Sequence, residues 1–147
     1  MAQVHVQAAA AVAAPVERVY ALVADYRQHH PRILPPDFSD LQVEHGGVGA
    51  GTVISFTLKL GGRRQHIRQQ VSEPQPGRVL SESDIGGREA VTTWTIAPEG
   101  PGSRVRIETV WEARGLQGVV ERLLAPRLLR RLYRDELDRL DQYARRA

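Results

Sequence analysis

The sequence predicts an α+β domain in which a curved antiparallel sheet is covered on one face by a long C-terminal helix. Three observations predict it. Apolar residues alternate with period two across most of the stretch from Leu41 to Arg114. From Leu116 the period is 3.6 and stays so nearly to the end. The connections between the period-two segments are short, which favours antiparallel neighbours.

The first element, "QVHVQAAAAV", puts Val4, Val6, Ala8, Ala10 and Val12 on one face and reads as a strand, although its alanines also suit a helix. Pro15 then fits the first position of a helix. In "PVERVYALVADY" Val16, Val19, Tyr20, Val23 and Tyr26 recur at helical spacing. "RQHHPRILPP" follows as a polar, proline-bearing connection. "LQVEHGGVGAGTVISFTLKLGG" reads as strand, glycine-rich turn and strand, with Ile54, Phe56, Leu58 and Leu60 facing one way. "RRQHIRQQVSEPQPGR" is a third strand that ends at its prolines, and "VLSESD" is a short fourth. "EAVTTWTIAPEGPG" places Trp94 and Ile96 together. "RVRIETVWEAR" alternates most regularly, with Val105, Ile107, Thr109 and Trp111 inward and Arg104, Arg106, Glu108 and Glu112 outward.

The last segment carries an apolar stripe of Val120, Leu123, Leu124, Leu128, Leu132, Leu137, Leu140 and Ala144. Pro126 interrupts it, which predicts a bend over 122–126. Leu123, Leu124, Leu128 and Leu132 are expected to face the sheet. On the polar side, Arg131 and Asp135, Asp135 and Arg139, and Asp141 and Arg145 are four apart and support an exposed helix.

Composition bounds the function. At 147 residues the chain is expected to be one domain, 1–147. Hydrophobic residues make up 41% and no run is long enough to span a bilayer as a helix. There is no cysteine, so thiolate chemistry and disulfides are excluded. The N-terminus lacks a basic region and a leucine-rich core, so the expected location is cytoplasmic. Net charge is +3, with Lys59 the one lysine and acids interspersed among the arginines, a pattern unlike a nucleic-acid patch.

The chemical candidates are few. His29 and His30 are adjacent, so on a helix they point in different directions and do not share a metal. His5, His45 and His66 are scattered, and no set supplies the three or four ligands that zinc needs. No cofactor or metal is expected. "HHPRILPP" reads mainly as a helix end, because proline disfavours helical geometry in the residue before it. The serines lie in no nucleophile elbow. "GGVGAG" lacks the lysine and the following helix of a phosphate loop. Acid–base chemistry inside an apolar interior remains, because burial disfavours a charged form and moves its pKa. By parity the candidates are Gln65 and Gln69, which match Ile67, and Glu82 and Asp84, which match Leu80, together with Tyr26. A bulge would reverse that parity.

Several phrases resemble the START/Bet v 1-like (SRPBCC) superfamily. "AAPVERVYALVADYRQHHPRILP" is similar to its opening, "GGVGAGTVISF" to its first hairpin, "VSEPQPGRVLSES" to its strand and turn before the fifth strand, and "SRVRIETVWEARG" with a long helix to its close. The closest branch is the polyketide cyclase/dehydrase-like group. The resemblance spans essentially the whole chain. It implies the helix-grip fold: about seven antiparallel strands around the C-terminal helix, with two short helices after the first strand. It also implies an apolar cavity between sheet and helix that binds a small hydrophobic molecule, lipid- or polyketide-like. Some members catalyse cyclisation or dehydration and others only carry the ligand, so enzyme status stays open and no catalytic residue is assigned. The residues expected at the ligand are Tyr26, Ile54, Phe56, Ile67, Gln69, Trp94, Ile107, Trp111, Leu123 and Leu124. Both tryptophans should be buried. The ligand is expected to enter beside the segment before Pro126. The chain is expected to be a monomer or homodimer.

The competing reading is a protein-interaction module that holds a partner polypeptide in the groove or along a sheet edge. A closed pocket of ~300 Å³ or more would favour a ligand. A filled interior with a large exposed apolar patch would favour a partner.

Overall fold

The computed structural model describes residues 2–113 and 124–147. Strand β1 is Ala2–Val12 and helix α1 is Val16–Ala24. A short 3₁₀ helix, His30–Ile33, follows. Six strands come next: β2 Phe38–His45, β3 Val53–Leu60, β4 Arg63–Gln75, β5 Val79–Asp84, β6 Val91–Glu99 and β7 Gly102–Ala113. Helix α2 is Ala125–Arg146.

The seven strands form one antiparallel sheet in the order β1-β7-β6-β5-β4-β3-β2. The hairpins follow each other along the chain, and β1 closes against β7 from Ala2↔Ala113 to Val12↔Ser103. The parity read from the sequence holds in the middle strands. Leu80 pairs with Trp94, and Trp94 with Ile107, so their side chains share the inner face. Trp94 is 1% and Trp111 5% exposed. Alanines in β1 do not make it helical, because pairing along its whole length and burial of Val4, Val6, Ala8 and Val12 outweigh a propensity difference of well under ~1 kcal/mol per residue.

Helix α2 packs against β1, the 3₁₀ helix, α1 and β3. Its buried face is Leu129, Leu132, Tyr133, Glu136, Leu137, Leu140 and Ala144. This differs from the expected stripe in two ways. Leu128 is only half-buried and Leu129 takes the inner position, and a glutamate belongs to the stripe. Pro126 stands in the first turn of α2, where its missing N–H has no intrahelical acceptor to lose. Leu124 precedes that turn and is 55% exposed, so it does not reach the interior as expected. Leu123 and the rest of the segment expected to admit ligand before Leu124 lie outside the described residues; of the span 122–126 expected to bend, Leu124 to Pro126 are described and form the start of α2. Two pairs on the polar face, Arg139–Asp135 at 3.1 Å and Arg145–Asp141 at 3.2 Å, are formed as the spacing predicts.

The glycine-rich turn between β2 and β3 is a clamp on the end of α1. Tyr26 N–H donates to the Gly47 carbonyl at 2.8 Å, and Gly49 N–H donates to the Ala24 carbonyl at 3.0 Å. The Arg27 guanidinium donates to the Gly46 carbonyl. Gly47 has φ +148°, a conformation that L side chains rarely adopt, and a Cβ there would also displace the Arg27 side chain. The turn thereby fixes Tyr26, whose ring points into the interior.

Candidate acid–base cavity

The connection after α1 is organised by Asp25. Its carboxylate accepts from Arg27 N–H at 3.0 Å and Gln28 N–H at 2.9 Å, and its carbonyl accepts from His30 N–H at 2.7 Å. This tight turn sends the two adjacent histidines apart. His29 turns toward α2, where its Nδ1 lies 2.7 Å from the Tyr143 hydroxyl. His30 turns inward and is 4% exposed.

His30 Nδ1 lies 2.7 Å from the Val23 carbonyl. A carbonyl only accepts, so Nδ1 carries a proton, and in the neutral ring the lone pair falls on Nε2. Nε2 is 3.7 Å from Glu136 Oε2 on α2 and 3.9 Å from Glu82 Oε2 on β5. Tyr26 stacks on the imidazole with centroids 4.4 Å apart, and Trp94 meets it edge-on at 5.5 Å. The ring therefore has one orientation.

Glu82 is held just as firmly. The Tyr26 hydroxyl donates to its Oε2 at 2.5 Å and Trp94 Nε1–H donates to its Oε1 at 3.2 Å. Burial, followed by the Glu82 charge and hydrogen bond, pushes the Tyr26 hydroxyl well above its ordinary range, so it stays a donor. Glu136 is also pushed well above the usual carboxylate range, first by burial and then by the charges of Glu82 and Asp135. Asp84, two positions along β5, is raised by burial, although Gln69 Nε2 donates to it at 3.1 Å. A third group continues the polar row across β6 and β7. Thr92 Oγ1 is 2.7 Å from Thr109 Oγ1, which is 2.5 Å from the Tyr133 hydroxyl.

These groups surround a cavity of about 110 Å³ between the sheet and α2. Its walls include seven of the ten residues expected there: Ile54, Phe56, Ile67, Gln69, Trp94, Ile107 and Trp111. Tyr26 is not on the wall but stands behind it, supporting Glu82 and His30. Gln65, Glu82 and Asp84, the parity candidates, do line it. Sequence reasoning missed His30 and Glu136, which line it as well. The signal for Glu136 was present: it falls four residues after Leu132 and four before Leu140, on the apolar stripe. His30 carried no such signal, because the turn that aims it depends on tertiary contacts. Among the described residues no group of three or more His, Cys, Asp or Glu is arranged to hold a metal ion. No described helix is long and apolar enough to cross a membrane.

Residues 3–145 match the family described as polyketide cyclase/dehydrase and lipid transport. The chain belongs to that family. Among solved structures, the KanY protein is 33% identical, with 99% of each chain covered and a TM-score of 0.86. The protein TTHA0849 from Thermus thermophilus is 23% identical over 95% of this chain and 96% of that one, with a TM-score of 0.80. The ZhuI aromatase/cyclase from Streptomyces sp. R1128 is 16% identical over 99% of this chain and 95% of that one, also at 0.80. At these last identities the likeness shows the helix-grip, Bet v 1-like fold and no more. No curated protein matches the sequence.

Proposed function

We propose that this polyketide cyclase/dehydrase family member binds a small hydrophobic molecule with one polar end, of ring size, in the cavity between sheet and α2. The observation that carries the reading is the division of the cavity wall. Ile54, Phe56, Ile67, Ile107 and Trp111 give an apolar surface, and His30, Glu82 and Glu136 converge at one point on it. Pockets of that kind bury a ligand's body and fix its orientation by a few polar contacts. The volume of about 110 Å³ is below the ~300 Å³ expected for a drug-sized ligand and restricts the occupant to about one ring. A dry cavity of ~150 Å³ takes up benzene, so a monocyclic aromatic is the right scale.

Polyketide-like ring precursors suit this site better than long-chain lipids, because the polar groups sit inside the cavity. The cavity meets neither criterion set out above: it is smaller than ~300 Å³, and the interior is not filled. Native mass spectrometry of freshly purified protein tests the proposal, together with titration by single-ring ketones and phenols. A co-purified small hydrophobic mass, or saturable binding read by tryptophan fluorescence, supports it. A clean apo mass with no response to any of these probes removes it.

A further inference from the structure

We propose that a surface cleft on the outside of the connection after α1 binds the phosphate group of a phosphate monoester, with Arg27 and Arg32 as the pair that grips it. The cleft shares no lining residue with the cavity, and the assignment stands independently of the ligand reading above.

The cleft is lined by Arg27, Gln28, His29, Pro31 and Arg32 from the connection and by Tyr143 from α2. Three observations carry the assignment. First, both arginines are exposed, yet the backbone holds their guanidiniums in place. Arg27 Nε and Nη2 donate to the Gly46 carbonyl at 3.1 and 2.6 Å, and Arg32 Nε donates to the Gln28 carbonyl at 3.2 Å. The remaining donors, Arg27 Nη1 and both Nη atoms of Arg32, meet no partner among the described residues. Second, the positive charge is uncompensated. No acidic side chain lines the cleft, and among the described residues neither guanidinium has a carboxylate at ion-pair distance. Asp25 stands next in the chain, but its carboxylate accepts from the Arg27 and Gln28 backbone N–H groups. Arg68, Arg139 and Arg145 instead turn Nε toward carboxylates. Third, the floor is a pair of rings. His29 and Tyr143 lie with centroids 5.7 Å apart, joined by the 2.7 Å contact between Nδ1 and the hydroxyl, with Pro31 in the same lining.

These features select the ligand's chemistry. A guanidinium presents a fork of N–H groups that matches two oxygens of a phosphate or a carboxylate. Two guanidiniums balance the charge of a phosphate monoester, about −1.5 to −2 near neutral pH, better than the single charge of a carboxylate. Its three terminal oxygens let both arginines bind at once. The organic part of the ester then rests on the His29 and Tyr143 rings. Such a site binds and orients; no bond is made or broken in it.

The test titrates the nitrogen-labelled full-length protein with phenyl phosphate at low salt and follows the amide signals by NMR. The Arg27, His29 and Arg32 signals should move together to saturation, with a Kd of about 1 mM or tighter. Inorganic phosphate should move the same signals more weakly and leave the Trp94 indole N–H, which lies in the cavity wall, in place. Arg27→Gln and Arg32→Gln should each weaken phenyl phosphate by about 5-fold. Arg32→Lys keeps the charge without the fork and should fall between wild type and Arg32→Gln. If Arg27→Gln loosens the turn at Gly46, the Arg32 variants alone decide. Vesicles of phosphatidylcholine with phosphatidic acid separate two sources of the phosphate. Binding them through the same arginines assigns it to a lipid headgroup, and binding phenyl phosphate but not the vesicles assigns it to a soluble ester. Phenyl phosphate that leaves these amides unmoved, or that binds Arg32→Gln as tightly as wild type, overturns the assignment.

Discussion

His30 Nε2 and Glu136 Oε2 stand 3.7 Å apart in the interior, each almost wholly buried, one on a connection and the other on the C-terminal helix. The first prediction concerns what this costs. Glu136 binds its proton more tightly in the folded state than in the unfolded one. Its proton therefore favours folding at pH below the ordinary carboxylate range, and that contribution disappears as pH rises through the raised folded value. His30, Glu82 and Tyr26 face it from other elements, and Tyr133 and Asp135 from its own helix. Glu136→Gln should therefore be more stable than the wild type at pH 8, by at least ~1 kcal/mol, and should lose that advantage at pH 4. Urea unfolding at both pH values measures it.

Glu82 makes the opposite case. Glu82→Ala leaves the Tyr26 hydroxyl and the Trp94 N–H buried without an acceptor, and each orphaned donor costs ~1–3 kcal/mol. We expect a loss of ~2–5 kcal/mol. Glu82→Gln keeps one acceptor oxygen and should lose less. A shift of the urea midpoint at constant slope checks both.

Along α2, the burial pattern predicts a graded response. Leu137→Ala and Leu140→Ala remove side chains that are 0% exposed and should cost ~2–5 kcal/mol. Leu124→Ala changes an exposed position and should cost under ~0.5 kcal/mol. Pro126→Ala should be similarly mild, because proline in a first turn breaks no intrahelical bond. Thermal unfolding of the four variants gives the order directly.

The fold was legible because period-two and period-3.6 patterns are set by burial on one face, and every strand but β2, which is half-buried at best, has buried positions on one face. The wall of the cavity was legible for the same reason: parity alone places Ile54, Phe56, Ile67, Trp94, Ile107 and Trp111 on the inner side. Glu82 and Asp84 emerged as candidates because they share parity with Leu80. Leu124 was misplaced because helical spacing does not show where a helix starts, and its own turn precedes Ala125. His30 was read as a stop signal before Pro31, which describes its backbone and misses its side chain. Its direction is set by Asp25, Val23 and the Tyr26 ring, and those contacts have no periodicity to read.

Trp94 should report on the site. Its indole touches His30 and donates to Glu82, whereas Trp111 is elsewhere on the wall. In Trp111→Phe the remaining emission should still respond to a bound single-ring ketone. In Trp94→Phe the response should shrink. Equal responses would show that the ligand lies away from the polar end.

The most direct measurement is nitrogen NMR of the His30 imidazole, with and without acetophenone. The geometry requires the Nδ1–H tautomer in the neutral ring, with Nε2 turned toward Glu136 at the polar end of the cavity. On titration, the Nε2 signal should move with the same midpoint as the tryptophan fluorescence while Nδ1 stays nearly fixed on the Val23 carbonyl. A neutral ring protonated at Nε2, or an Nε2 signal unmoved at saturation, would contradict the account.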